Sequence, residues 1–133
     1  MDPSKPVVRG DAFALLDAGP QGGAYHCGHF MTAQNAVLNS MGYVARCLGA
    51  GPGSQTNTYQ ASGHHGINEV WVNSLSRWVL LDAEEDCHVE KEGRPLSALE
   101  VRDEWLRDSA KSVVVVQGPE RRPRQPHDLI SPH

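Results

Sequence analysis

The chain has 133 residues and a formal net charge of −4, with 12 basic and 16 acidic side chains. This length supports one domain with a single hydrophobic core rather than two independent domains. The basic residues form no dense patch except near the C-terminus, so the charge pattern does not favour a nucleic-acid-binding protein. No apolar run approaches the roughly 20 residues that a membrane-spanning helix needs, and we expect no membrane span.

The three cysteines are too few and too unevenly spaced for a disulfide framework, and their odd number leaves at least one free thiol. The first residues, MDPSKPVVRGD, lack the apolar segment of a secretory signal. For the chain as given, these features favour the cytoplasm. The sequence is equally compatible with a domain of a larger polypeptide, and in that case the localisation is unknown.

The first predicted helix begins at about Cys27. Apolar residues then recur at intervals of three and four, which is the spacing of one helical face. Gly42 can adopt the left-handed conformation that ends helices, so we expect the helix to end just before it. The apolar positions are Phe30, Ala33, Val37 and Met41.

Three extended segments follow the helix. Residues 43–48 are predicted to form a short strand, and the glycine- and serine-rich residues 49–63 a mobile loop. Residues 64–73 and 77–83 are predicted to pair as an antiparallel hairpin. Pairing through this short connection would set His65 opposite positions 83 to 85, close to Asp82.

The C-terminal third alternates a helix, a strand and a polar tail. Ser97 and Glu100 form the sequence pattern of a capping box, which predicts a helix within residues 95–108. The β-branched run at 112–116 predicts a strand. Residues 118–133 hold four prolines and few apolar side chains, so we expect a disordered tail or a linker.

The order of these elements predicts the α+β class for residues 1–117. In the expected architecture, an N-terminal helix headed by Cys27 packs on an antiparallel β-sheet.

Cys27 is the strongest candidate for a reactive residue. The amide groups and the dipole at a helix N-terminus favour a thiolate, which makes a cysteine in the first turn a candidate nucleophile. Such a nucleophile needs a base within reach and a third group that orients the base. His65 and Asp82 lie on one face of the predicted hairpin and can supply these two groups.

Three blocks of the sequence together resemble the core of the transglutaminase-like superfamily. They are CGHFMTAQNAVLNSMGYVAR, HHGINEVWV and RWVLLDA, and they occur in the order that the family shows. In that family a cysteine opens a helix, a glycine follows about fifteen residues later before Ala-Arg, a histidine begins an H-x-x-x-E strand, and a W-x-x-x-D strand supplies an acid. The matching positions are Cys27, Gly42, Ala45, Arg46, His65, Glu69, Trp78 and Asp82.

The resemblance implies a papain-like fold and a thiol mechanism without a cofactor. Cys27 would attack an amide carbonyl of a peptide or protein, His65 would carry the proton to the leaving amine, and Asp82 would hold His65. Water or an amine would then resolve the thioester, so protease, amidase and cross-linking activities are all compatible. By analogy with papain-like proteases, Gln21 is a candidate donor to the oxyanion, beside the Cys27 amide. His26, His29 and His64 are candidates for the substrate side of the site.

Two other interpretations remain open. The family commonly has an aromatic residue two places after the histidine, where this sequence has Ile67 after Gly66. This departure from the family pattern is compatible with a catalytically inactive binding or scaffold module. Zinc is the chemical rival, but there is no Cys-x-x-Cys pair, and a helix that starts at Cys27 is expected to direct His26 and His29 to different sides. We therefore assign no metal ligand. The potential zinc ligands are His26, Cys27, His29, His64, His65, Cys87 and His88.

Glu69 has two possible roles. It is either a second acid of the site or a strand residue that pairs with a base such as Arg77 across the hairpin.

Overall fold

A computed structural model describes residues 11–22, 25–51 and 64–126. These segments contain three α-helices and a seven-stranded antiparallel sheet, which confirms the mixed α+β class. The helices are α1 (Ala12–Ala18), α2 (Cys27–Ser40) and α3 (Ala98–Asp108). The strands are β1 (Val44–Ala50), β2 (His65–Val72), β3 (Arg77–Asp82), β4 (Cys87–Lys91), β5 (Arg94–Pro95), β6 (Val113–Gln117) and β7 (Arg122–Arg124).

The sheet has the order β1-β2-β3-β4-β6-β7, and β5 pairs with β4. The hairpin of β2 and β3 has the predicted antiparallel pairing, with Trp71 opposite Trp78. Their rings meet edge to face with centroids 5.8 Å apart, an arrangement that stabilises paired strands. If the register continued past the last paired residues, His65 would face Glu84.

Helices α2 and α3 cover opposite faces of the sheet. Asn68 on β2 is fully buried and donates a hydrogen bond to the carbonyl of Met31 in α2. The next residue, Glu69, accepts a hydrogen bond from the amide of Ala98 at the start of α3. Because consecutive residues of a strand point to opposite faces, the two contacts place the two helices on different sides.

The main core lies on the same face of the sheet as the Glu69 side chain. Adjacent strands contribute its apolar side chains, and the backbone of Leu96 connects β3 to β4 by hydrogen bonds to Leu80 and Val89. Burial of these side chains is the main stabilising term for such a sheet. The buried cluster consists of Ile67, Leu80, Cys87, Val89, Leu96, Ala110, Val113 and Val115.

The prediction of a disordered tail or linker over 118–133 is wrong for residues 118–126. The chain turns at Gly118, whose φ of 69° is in the left-handed region, and Arg122–Arg124 then pairs with β6. An edge strand is held by backbone hydrogen bonds, and its outer side tolerates a proline such as Pro123. A polar, proline-containing composition therefore did not exclude a strand. The paired sheet therefore continues past residue 117, and residues 127–133 lie outside the described segments.

The prediction that the cysteine helix is the first helix is also wrong. Helix α1 precedes it and is capped by the Asp11 carboxylate, which accepts a hydrogen bond from the Ala14 amide. The seven residues of α1, AFALLDA, are almost all apolar, so the sequence shows no alternation between an apolar and a polar helical face. Only Leu15 of this helix is buried. Strands β4 and β5 were likewise not predicted from the sequence.

The start of the predicted loop needs a smaller correction. Residues 49 and 50 belong to β1, and residues 52–63 lie outside the described segments. Within the described segments, none of the helices combines the length and the apolar character that crossing a bilayer requires.

Candidate active site

Cys27 is the first residue of α2, as predicted, and two histidines fix the start of this helix. His26 Nδ1 accepts a hydrogen bond from the Gly28 amide at 3.1 Å, and His29 Nδ1 accepts one from the His26 amide at 3.2 Å. This reciprocal pairing satisfies amide groups that a helix start otherwise leaves without partners. It holds the backbone of Cys27 in a defined conformation.

The expectation that His26 and His29 diverge is wrong. Their ring centroids are 3.8 Å apart, because each ring folds back onto the backbone of the same helical turn. His29 also lines an apolar cleft of about 310 Å³ between α1 and α2, together with Leu15, Tyr25 and Phe30. A role of either histidine on the substrate side stays a prediction.

The first turn of α2 approaches β2 at Gly66. A Cβ atom on Gly66 would lie 3.2 Å from Met31 Sδ and 3.5 Å from both the carbonyl carbon and the carbonyl oxygen of Cys27. Glycine therefore permits the strand to run close beside the helix start. One turn along α2, the Asn68 side chain donates to Met31 and Gln34 and accepts from Asn35. These contacts set the position of Cys27 relative to β2.

His65 lies next to Gly66 at the start of β2, and Asp82 ends β3. His65 Nε2 is 2.6 Å from Asp82 Oδ2. The other carboxylate oxygen of Asp82 accepts hydrogen bonds from the amides of Glu84 and Glu85 at 3.0 and 3.1 Å. Asp82 is buried and both of its oxygens have partners, so it fixes the plane and the tautomer of the imidazole.

Cys27, His65 and Glu84 meet at the tip of α2. The Cys27 sulfur, a ring nitrogen of His65 and a carboxylate oxygen of Glu84 all lie within 4.8 Å of one another. His65 Nδ1 is 3.6 Å from Glu84 Oε2. Since Nε2 is held by Asp82, Nδ1 is the ring nitrogen that is available to the thiol. The structure thus brings the predicted Cys27, His65 and Asp82 together.

The pKa of His65 is raised to about 9. The hydrogen bond to Asp82 is the largest cause, and the neighbouring Cys27 contributes in the same direction. Partial burial opposes this rise by disfavouring the charged ring. At neutral pH the imidazole is therefore largely protonated. The protonated ring thus lies between the Asp82 carboxylate and the Cys27 sulfur.

Of the other predicted residues, His64 does not join this cluster. The ring of His64 lies over β1, where a Cβ on Gly49 would come within 3.0 Å of His64 Nε2. Gln21 ends a short 3-10 turn, Gly19–Gln21, but its side chain lies outside the described part of the structure. Its role as an oxyanion donor stays a prediction.

Glu69 does not pair with Arg77. Its Oε2 accepts two hydrogen bonds from Arg46, directly opposite on β1, at 2.9 and 2.6 Å. Arg77 instead bonds Glu100 of α3 at 2.8 Å. Glu69 therefore does pair with a base on an adjacent strand, but this strand is β1 rather than β3.

The remaining cysteines occupy different surroundings. Cys47 is exposed on β1, and Cys87 belongs to the hydrophobic core. Burial raises the pKa of Cys87 to about 12, with a further contribution from the Asp82 charge. A buried thiol of this kind is a poor nucleophile.

Glu84 is the site residue that the sequence reading missed. The predicted hairpin register already set His65 opposite positions 83 to 85, and Glu84 is the acidic residue in the middle of that range. This register was the signal that could have identified it. No family model, curated protein or solved structure matches the chain, so its geometry and its residue pattern carry the functional argument.

Proposed function

We propose that the protein is a thiol-dependent hydrolase or acyltransferase that acts on amide bonds, with Cys27 as nucleophile, His65 as acid and base, and Asp82 as the residue that orients His65. The observation that carries this proposal is the position of His65. Its Nε2 is bonded to the buried Asp82, and its ring also lies beside the Cys27 sulfur at a helix N-terminus. This is the arrangement of nucleophile, base and orienting group that acyl transfer requires.

In the first half of the reaction, the Cys27 sulfur attacks the carbonyl carbon of the amide. Cys27 reacts as the thiolate, and the S–C bond forms as the carbonyl π electrons move to oxygen. These electrons then return to re-form the carbonyl as the C–N bond breaks, and the Nδ1 proton of His65 passes to the leaving nitrogen. The products are a thioester on Cys27 and a free amine or ammonia. In the second half, neutral His65 removes a proton from water or from a second amine, which attacks the thioester and releases the sulfur.

The oxyanion of each tetrahedral intermediate requires hydrogen-bond donors. Cys27 occupies the first position of α2, and amides in the first turn of a helix have no acceptor within the helix. Its amide is therefore suited to donate to the oxyanion, assisted by the helix dipole.

The proposed family is the transglutaminase-like superfamily, with a papain-like core. One observation supports it beyond the order of the three sequence blocks. A cysteine-headed helix packs against the strand that begins with His65, and the adjacent antiparallel strand ends with Asp82.

The test uses p-nitrophenyl acetate, an activated acyl donor that makes no demand on substrate specificity. We expect a burst of p-nitrophenol, one acetyl group on Cys27 by peptide mass mapping, and removal of that group by hydroxylamine. Cys27→Ala should abolish the burst, and Cys47→Ala, the matched control on an exposed thiol, should leave it unchanged. Acetylation spread over other side chains and insensitive to Cys27→Ala would refute the proposal.

A further inference from the structure

The group formed by Cys27, His65 and Glu84 also has the dimensions of a metal site. Zinc binds cysteine, histidine and carboxylate ligands at about 2.0–2.3 Å, so two ligand atoms of one tetrahedral ion are about 3.3–3.8 Å apart. The measured separation of His65 Nδ1 and Glu84 Oε2 is 3.6 Å. All three ligand atoms fall within 4.8 Å of one another, so small side-chain movements suffice to surround an ion.

The surroundings of these ligands also suit a metal. A histidine that binds zinc through one ring nitrogen commonly donates from the other to a carboxylate, which orients the ring and strengthens the ligand. Asp82 makes this contact with His65 Nε2 at 2.6 Å. Asp82 also accepts a hydrogen bond from the Glu84 amide, so one carboxylate positions two of the three ligands.

We propose that Cys27, His65 and Glu84 form a three-ligand site for Zn²⁺, with water in the fourth position, and that the bound ion reversibly blocks acyl transfer. Binding forms S–Zn, N–Zn and O–Zn bonds, and any proton on the sulfur or on Nδ1 passes to solvent. The block rests on the proposed function, because the ion occupies the sulfur and the ring nitrogen that the reaction uses. Binding itself does not depend on turnover.

This ligand set differs from the histidine and cysteine cluster that the sequence suggested. His26 and His29 use their Nδ1 atoms for the helix start, and Cys87 is buried in the core. Across the segments that the structure describes, Cys27, His65 and Glu84 are the one group of three such side chains with metal-ligand spacing.

Cobalt provides a readout that is independent of activity. Co²⁺ occupies zinc sites, and a cysteine ligand produces a thiolate-to-cobalt charge-transfer absorption in the near ultraviolet. We expect this band when Co²⁺ alone is added to the full chain after removal of metals with a chelator, and its loss when Zn²⁺ is added in equal amount. Equilibrium dialysis should give one Zn²⁺ per chain.

Glu84→Gln tests the third ligand and retains Cys27, His65 and Asp82. We expect this variant to lower the affinity for Zn²⁺ by at least roughly tenfold to hundredfold, which is the loss that follows removal of a group that only orients a metal ligand. Glu85→Gln is the matched control, because Glu85 is the adjacent acid and is outside the group. Both side chains are near the surface, and far-ultraviolet circular dichroism checks that both variants fold.

The two proposals fail in different ways. Absence of the charge-transfer band, or a band with equal affinity in the Glu84→Gln variant, would overturn the metal site regardless of acyl transfer. The p-nitrophenol burst in metal-free protein tests the reaction alone. A burst that Zn²⁺ suppresses in the wild type, but much less in Glu84→Gln, supports the inhibitory site.

Discussion

His65 Nε2 lies 2.6 Å from Asp82 Oδ2, and the second oxygen of this buried carboxylate is held by two backbone amides. Asp82 therefore cannot turn away from the imidazole without breaking hydrogen bonds to the chain that follows it. The contact joins the beginning of β2 to the end of β3. It couples the charge of His65 to the integrity of the hairpin.

This coupling predicts how stability depends on pH. The folded-state pKa of His65, about 9, lies above the ordinary value of 6.5. The stabilisation is fully present below the ordinary value and is lost as pH rises through the folded value. We expect the wild-type melting temperature to decrease between about pH 6.5 and 10, and Asp82→Asn to reduce this slope. His88→Gln, at another histidine paired with an acid, is the control and should retain it. A slope that Asp82→Asn leaves intact would contradict the assignment.

The close approach at Gly66 predicts a graded response to side-chain size. Gly66→Ala requires Met31 to move by a few tenths of an ångström, whereas Gly66→Val adds atoms that also press on the Cys27 carbonyl. We expect Val to destabilise the fold by about 1–3 kcal/mol, the usual cost of overpacking, and Ala to cost less. Alkylation of Cys27 should slow in the same order. The measurements are urea unfolding and the rate of thiol labelling.

Gly19→Ala is the control for this series. A Cβ at Gly19 meets no atom within 4 Å, and its φ of −51° suits alanine. Equal unfolding free energies for wild type and Gly66→Val would show that the strand and the helix start are not in close contact.

The pairing of Glu69 with Arg46 predicts a specific coupling energy. Glu69 is only 1% exposed, so removal of Arg46 leaves a buried carboxylate with fewer partners, at a cost of about 1–3 kcal/mol. Removal of Arg46 also removes the contact of its guanidinium with the Trp78 ring, whose centroid is 4.1 Å from the guanidinium carbon. A double-mutant cycle with Arg46→Ala and Glu69→Gln should give a coupling of about 0.5–3 kcal/mol. The matched cycle with Arg77→Ala should give a smaller value. A larger coupling energy between Glu69 and Arg77 would contradict the pairing of Glu69 with Arg46.

The sequence predicted the parts of the fold that have a strong local signal. The apolar spacing after Cys27, the capping box at Ser97 and the short connection between β2 and β3 each predicted their element. Because the hairpin register was predictable, the proximity of His65 and Asp82 was predictable too.

The predicted apolar face of the Cys27 helix does not cover the sheet, because Phe30, Val37 and Met41 are exposed. Polar side chains of α2 contact β2 instead, among them Gln34 and Asn35.

What the sequence did not predict depends on contacts between distant parts of the chain. Strand β7 is held by pairing with β6, and nothing in its own composition indicates a strand. The partner of Glu69 depends on which strand lies on the other side of β2. The close approach of the His26 and His29 rings arises from a helix cap that histidine side chains provide, which standard capping patterns do not include.

The most direct test of the central claim is the rate at which iodoacetamide labels each cysteine between pH 6 and 9. Cys47 is the internal reference because it is exposed. Burial raises the pKa of its thiol above the ordinary value, so the deciding comparison is between the rate at Cys27 in the wild type and the rate at Cys27 in His65→Ala. At pH 6.5 we expect Cys27 to label on the order of tenfold faster than Cys47 or more, because only about one per cent of an ordinary thiol is ionised there. His65→Ala should remove most of this difference, and Asp82→Asn part of it. Labelling of all three cysteines at one slow rate, unchanged by His65→Ala, would contradict the account.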